Sequence, residues 1–311
     1  MKSIQFDHYG APSVLQAVDT ATPVPGAGEV MIRVRAAAVN LIDLKRRRGD
    51  LAQVFPDTFP VRPGTDASGV VEAVGEGVTG ASVGDEVFGG ATSGAYAEQC
   101  TLHPWFVKPS RLSWEVAATL PTIAETAARC VGELVPQPGE VVLIFGAAGG
   151  VGMLATQLVL AQGAAVIGVV TSPEQGETVE RFGATAVSAG PDLVERLRVS
   201  GVDRVDAVLD TSGAGVLDVA VTLAGGPERV VTIADMGAAS FGVRFSGADP
   251  VRAYDQIPGV AAGVADGSLW IPAPKIRDLA DAVSVHEDIE ARRLSGKVVL
   301  VPAPTNDGSI G

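Results

Sequence analysis

Between Glu140 and Glu174 no charged residue occurs, and the apolar positions inside that stretch change period twice. VVLIF (141–145) is a short apolar run, MLATQLVLAQ (153–162) spaces its apolar residues along one face of a helix, and AAVIGVV (164–170) is a second apolar run. The stretch exceeds the roughly 20 apolar residues of a membrane span. However, FGAAGGVG at its centre weakens a helix, and the Val- and Ile-rich flanks favour strands. It therefore predicts strand, glycine turn, helix, strand: a βαβ unit. Neither strand alternates, as expected in a parallel sheet covered on both faces.

Residues 1–118 read as β-rich. EVMIRVRAAAV (29–39) alternates, and GVVEAVGEGVTGASVGDEVFG (69–89) breaks into short Val-rich runs between glycines, the pattern of a small antiparallel barrel or sandwich. WEVAATL (114–120) and AETAARCVGELV (124–135) predict helices. Beyond the βαβ unit, helices at EQGETVERFG, DLVERLRV and VLDVAVTLAGG alternate with strands at ATAVS, VDAVLD and RVVTIAD. Strands and helices in alternation imply a doubly wound α/β domain. IRDLADAVSVHEDIEARRL (276–294) predicts a helix ending near Gly296, and KVVLVP (297–302) a last strand. The tail resembles the β-rich part, so the fold class is α/β: a β-rich domain of residues 1–118 plus 263–311, with the doubly wound domain, 119–262, inserted.

Composition narrows the partners. At 311 residues, 47% hydrophobic and 19% charged, the chain suits a compact protein. A net charge of −13 argues against nucleic acid and anionic membranes. The basic run KRRRG (45–49) is short and isolated, fitting a solvated face or a small-anion contact. The two cysteines, Cys100 and Cys130, form neither a disulfide framework nor a CxxC pair, and MKSIQFDHYG lacks the apolar core of a signal peptide. A soluble cytoplasmic protein is expected.

The turn at 146–152, GAAGGVG, carries the chemistry. Against G-x-G-x-x-G, Ala147 replaces the first glycine while Gly149 and Gly152 are in place. Ala148, Gly149, Gly150 and Val151 would bring backbone N–H groups and a helix N-terminus to a pyrophosphate. After the next strand, the position where NAD binders place an acid holds Thr171 and Ser172. These hydroxyls, with Arg181 further on, suit a 2′-phosphate and favour NADPH over NADH; alternatively, Thr171 and Ser172 cap the helix that begins at Pro173.

Several stretches together resemble the medium-chain dehydrogenase/reductase superfamily, in its zinc-free quinone oxidoreductase (zeta-crystallin-like) branch. They are AAAVNLIDLKRRRG (36–49), PGTDASGVVEAVGEGVTG (63–80), VGDEVFG (83–89), GAYAE (94–98), AAGGVG (147–152) and GKVVLVP (296–302). The resemblance implies a GroES-like catalytic domain with an inserted Rossmann domain, homodimers or homotetramers, and NADPH-dependent reduction of quinones or α,β-unsaturated carbonyls. Where zinc-containing relatives have ligands this chain has Asn40, Thr65 and Thr122, which are poor zinc ligands, and His8, His103 and His286 form no cluster. No zinc is expected. Without a Lewis acid, a conjugated acceptor suits the site better than a simple ketone, because its charge spreads into an enolate or phenolate.

The resemblance places Asn40 beside the nicotinamide ribose, where it would also cap a helix starting at Leu41. Asp43 lies in that helix's first turn and serves the helix equally well. Lys45 stands where many relatives have Tyr; it suits an enolate oxygen or a proton transfer, or is a surface cation. Thr126 matches a cofactor-contacting threonine, although Glu125 and Ala128 depart from the usual Leu and aromatic. Met236 and Gly237 are expected to line the nicotinamide pocket, Tyr96 to pack, and loops 50–62 and 240–256 to wall the substrate. Two alternatives remain open: an enoyl reductase for a carrier-bound intermediate, for which KRRR is the one hint, and a non-catalytic NADP(H)-binding redox sensor.

Overall fold

The chain is described by a computed structural model covering residues 1–199, 201–247 and 252–303. It divides into two compact units. The first comprises Met1–Thr122, Ile257–Ser268 and the described part of Pro272–Gly311; the second comprises Ile123–Gln256 and Leu269–Ile271.

The first unit opens with a hairpin-like pair, β1 (Lys2–Gln5) and β2 (Gln16–Asp19), joined antiparallel. Strand β3 (Val30–Val39) leads into helix α1 (Leu41–Arg48), and β4 (Asp66–Val74), β5 (Glu86–Ala91) and β6 (Gln99–Val107) follow. These strands pair antiparallel in sequence order, and β6 returns to pair with β3. That closure leaves none of the four with both edges free, the usual answer to exposed sheet edges. Val30, Ile32, Val34, Val71, Val87 and Leu102 fill the interior from alternating positions.

Helix α2 (Trp114–Leu134) is one element where the sequence pattern predicts two. Pro121 lies inside it, and Pro lacks an N–H and crowds the preceding turn. The helix continues past it, and the N–H of Thr122 points to Oδ2 of Asp66 at 3.1 Å, a partner outside the helix.

The second unit is a six-stranded parallel sheet. Its elements run β7 (Val141–Phe145), α3 (Gly150–Ala161), β8 (Ala165–Val170), α4 (Pro173–Glu180), β9 (Thr185–Ser188), α5 (Leu193–Val199), β10 (Ala207–Asp210), α6 (Leu217–Ala224), β11 (Val230–Thr232) and β12 (Arg244–Phe245). The strand order β12-β11-β10-β7-β8-β9 is that of a Rossmann sheet, with its switch point between β7 and β10. Leu143, Phe145, Ile167, Val208 and Val230 lie in its core, matching the apolar runs that do not alternate.

The chain returns to the first unit through α7 (Ile257–Asp266), β13 (Lys275–Asp278), α8 (Ala282–Glu290) and β14 (Val298–Val301). The helix expected over 276–294 is therefore shorter than its pattern suggests. Ile276–Asp278 are instead strand, pairing parallel with β14 in the register Lys275↔Val298. Ladder hydrogen bonds to a neighbouring strand outweigh the weak helical preference of an exposed IRD. Among the described residues no helix is long and apolar enough to cross a membrane.

Candidate functional site

In the first unit, β-strand register assembles a buried polar cluster. β14 and β3 pair antiparallel with Val298 opposite Val39, which sets Lys297 beside Asn40. β3 and β4 pair with Ala38 opposite Asp66. Nδ2 of Asn40 donates to Thr65 Oγ1 and to Asp66 Oδ2, both at 2.9 Å, and Nζ of Lys297 donates to Asn40 Oδ1 at 2.5 Å and to the Val39 carbonyl at 3.4 Å. Thr122 Oγ1 donates to Asp66 Oδ1 at 2.8 Å. Asp43 accepts the Asn40 backbone N–H at 2.8 Å, the acid half of a capping box at the start of α1.

Two buried carboxylates and one half-buried ammonium thus share a site. Burial pushes the Asp43 carboxyl up to about 7, assisted by the nearby Asp66 charge and opposed by Lys297 and by N–H groups of Asn40 and Gly64. Burial also raises Asp66 and lowers Lys297, while their mutual attraction resists both shifts. Gly64 belongs to the construction: its φ is +95°, and a Cβ there would lie 2.5 Å from the Tyr96 ring. Tyr96 itself is fully buried, with its hydroxyl 3.2 Å from His286 Nε2.

Of the three residues expected to act in the first unit, Asn40 and Asp43 are in this cluster and Lys45 is not. Asp43, Leu44 and Arg47 form the buried face of α1, whereas Lys45 is half-buried on the side of exposed Leu41 and has no hydrogen-bond or ion-pair partner among the described residues. The arginines of the basic run are engaged. Arg46 pairs with Asp57, Arg47 with Glu290, and Arg48 with Asp50 and Glu290.

In the second unit the glycine turn joins β7 to α3. Gly149 is the N-cap, no side chain caps the helix, and no acid occupies its first turn. The N–H groups of the first turn, Gly150 and Val151 among them, thus have no intrahelical acceptor. Gly149 is exposed, and a Cβ on it would meet only the Gly146 carbonyl oxygen, at 3.2 Å. A Cβ on Gly152 would come within 2.2 Å of that oxygen, so this glycine is required by helix–strand packing. The cradle has the donors and the open backbone approach that a pyrophosphate needs. Ala148 is half-buried in the same turn.

At the end of β8, Ser172 is the N-cap of α4 and accepts the Gln175 N–H at 3.4 Å, while Thr171 donates from both its N–H and its hydroxyl to Gln175 Oε1. Arg181 lies at the C-terminal end of α4, its guanidinium 4.3 Å from the Trp270 ring centroid. Met236 is 65% exposed, and Gly237 donates its N–H to Asp235. Of the expected substrate-wall segment 240–256, residues 248–251 lie outside the described residues.

Thr126 is buried on α2 beside Glu125, the residue that departs from the pattern. Glu125 and Arg129 are both buried and joined by Nε to Oε1 at 2.8 Å. Arg129 also donates to Ser246 Oγ, and Glu125 accepts the Ala253 N–H at 3.3 Å and pairs with Arg252 at 3.6 Å. A buried ion pair on α2 therefore holds residues on both sides of 248–251.

Sequence reasoning left Asp66, Lys297 and Arg129 without roles. Asp66 had a signal, an acid at the head of a Val- and Ala-rich strand, next to the suspected Thr65. Lys297 had a weaker one, a lone cation between Gly296 and VVLV.

Two protein families match the chain: the alcohol dehydrogenase GroES-like domain at residues 26–111 and zinc-binding dehydrogenase at residues 150–262. A quinone oxidoreductase of Sus scrofa is 30% identical, over 97% of this chain and 98% of its own. A 2-methylene-furan-3-one reductase of Solanum lycopersicum is 31% identical, over 98% of this chain and 80% of its own. A mycobacterial protein solved in complex with NADPH is 30% identical and superposes with a TM-score of 0.83, covering 97% of this chain and all (100%) of that one.

Proposed function

Because the chain belongs to the quinone oxidoreductase branch of the medium-chain dehydrogenase/reductase superfamily, we propose that it is an NADPH-dependent, zinc-independent reductase of quinones or α,β-unsaturated carbonyls. The observation that carries this reading is the uncapped N-terminus of α3, where free N–H groups and the helix dipole meet an exposed glycine. The named relatives support it: quinone oxidoreductase, an enone reductase, and a protein that binds NADPH.

NADPH, when bound, supplies the hydride. The turn Ala148–Val151 would hold its pyrophosphate, and Thr171, Ser172 and Arg181 would bind the 2′-phosphate. Thr126, Met236 and Gly237 would line the nicotinamide end. Asn40 addresses the ribose, and Asp43 acts through it by holding its backbone N–H. Lys45, an ammonium on α1 with no partner among the described residues, would meet the oxygen that gains charge on a reduced enone or quinone and would donate the proton that this oxygen takes, its amine regaining one from solvent.

A zinc ion does not suit the polar cluster. Metal binding needs ligands that offer lone pairs to a cation, yet Asn40 turns its amide nitrogen toward Thr65 and Asp66, and the Lys297 ammonium on its oxygen would repel a metal ion brought beside it. A carrier-bound substrate gains nothing from KRRR, whose three arginines are paired with acids of this chain. The acidic chain is read as cytoplasmic and as a homodimer or homotetramer, which light scattering tests.

The deciding assay is oxidation of NADPH and NADH by chelator-treated protein with a quinone panel and an enone panel. Turnover with NADPH, unaffected by the chelator, is expected. Tight NADPH binding with no turnover would point to a redox sensor, and activity lost on chelation and restored by zinc would refute the zinc-independent site.

A further inference from the structure

Hydrogen-bond accounting in the polar cluster leaves Asn40 one way to address a ligand. A carboxamide has two N–H donors and an oxygen with two lone pairs. Both donors of Asn40 are spent, on Thr65 Oγ1 and Asp66 Oδ2, and one lone pair of Oδ1 is taken by Lys297 Nζ. The second lone pair faces the Asp43 N–H of the capping box, which is already bonded to the Asn40 backbone carbonyl at 3.0 Å, and is the one acceptor site left for a ligand. Flipping the amide would set its NH2 against the ammonium and its oxygen against the Asp66 carboxylate, two repulsive contacts in a site where burial magnifies them.

From this we propose that Lys297 is a positioning residue: with Asp66 it locks the Asn40 carboxamide so that it meets the ligand as a hydrogen-bond acceptor, selecting a hydroxyl group over a carbonyl. This rests on the reading of the protein as an NADPH-binding reductase, in which the hydroxyl is one of the nicotinamide ribose. Lys297 reaches Asn40 only through the pairing of β14 with β3, and its Nζ is the one side-chain donor to Asn40 Oδ1 among the described residues. Its second bond, to the Val39 carbonyl at 3.4 Å, ties it to the residue just before Asn40.

The test is a double-mutant cycle read by NADPH binding in the absence of any acceptor substrate, using nicotinamide fluorescence. The proteins are wild type, Asn40→Ala, Lys297→Met and the double variant, with Lys297→Gln in place of Lys297→Met should the latter fail to fold by circular dichroism. Each single variant is expected to weaken NADPH binding about tenfold, the scale of one hydrogen bond to a charged or oriented group, and the double variant no more than Asn40→Ala alone. A dideoxy-analogue check adds direction: NADPH lacking the two hydroxyls of the nicotinamide ribose should bind wild type and Lys297→Met equally. Additive losses, or a Lys297 variant that binds NADPH like wild type, would overturn the proposal while leaving the reductase reading intact. A wild-type protein that does not bind NADPH would refute that reading and this inference together.

Discussion

Arg129 and Glu125 lie one turn apart on α2, both buried, with Nε of the arginine 2.8 Å from Oε1 of the glutamate. Burying two charges costs solvation that only their mutual pairing and further hydrogen bonds offset. Here those further bonds go to Ser246, to the Ala253 N–H and to Arg252. The pair therefore acts as an anchor for residues flanking 248–251, and removing Arg129 leaves Glu125 only the longer contact with the more exposed Arg252 and the Ala253 N–H.

Arg129→Met should destabilise the second unit by about 3–5 kcal/mol, because Glu125 is left charged without its buried partner. The double variant Glu125→Leu with Arg129→Met should recover a large part of that loss. Urea denaturation followed by circular dichroism measures both; equal stability of the two variants would show that the lone carboxylate is not the source of the loss.

The two glycines of the phosphate turn should separate folding from binding. Gly152→Ala forces a Cβ to within 2.2 Å of the Gly146 carbonyl oxygen, so a lowered melting temperature is expected. Gly149→Ala meets the same atom at 3.2 Å, a contact that a small shift relieves. Its melting temperature should stay close to wild type while NADPH binds about tenfold more weakly, since the methyl stands where phosphate oxygens approach the backbone. Unchanged binding in Gly149→Ala would argue against a pyrophosphate at this turn.

Ser172→Asp should change cofactor preference without unfolding α4. Asp is as good an N-cap as Ser, so the bond from the Gln175 N–H has a continuing acceptor. The new carboxylate would repel a 2′-phosphate and accept from ribose hydroxyls. The ratio of kcat/KM for NADPH over NADH is expected to fall by about tenfold or more. A ratio that does not move would place the 2′-phosphate elsewhere.

His286 should make the protein acid-sensitive. It is fully buried beside Tyr96, its Nδ1 has no hydrogen-bond partner among the described residues, and burial with the nearby Arg47 and Arg48 charges pushes its pKa down to about 3. A depressed pKa contributes stability that is present above the ordinary histidine value of 6.5 and is lost as pH falls from there toward 3. Asp43 works the other way: raised to about 7, its contribution is full below the ordinary carboxylate value and fades as pH rises through 7. Comparing wild type with His286→Asn cancels the Asp43 contribution. The stability gap between them should shrink by about 1.4 kcal/mol per pH unit between pH 6 and 4. A gap independent of pH would mean that the imidazole does not resist protonation.

Much of the architecture was legible before any coordinates. The period changes between Glu140 and Glu174 correspond to β7, α3 and β8, and the Val-rich runs between glycines to β4 and β5 of the closed antiparallel sheet. Two elements were misread for the same reason. The IRD segment joined a strand, and the residues on either side of Pro121 formed one helix, because a neighbouring β14 and a neighbouring Asp66 supplied hydrogen bonds that no local pattern records.

The sequence by itself determined the elements whose cause is local: apolar period selects helix or strand, and a glycine is demanded wherever a Cβ cannot fit, as at Gly152. Only the tertiary structure decided which charges meet. KRRR reads as a solvated face or a small-anion contact until Asp57, Glu290 and Asp50 are brought against its arginines. Lys297 is an unremarked lysine until the register Val298↔Val39 sets its ammonium on an amide 257 residues away. The reason is physical. Side-chain hydrogen bonds and ion pairs act over a few ångströms and are indifferent to chain separation, so their partners are known only once strand pairing has fixed which distant residues become neighbours.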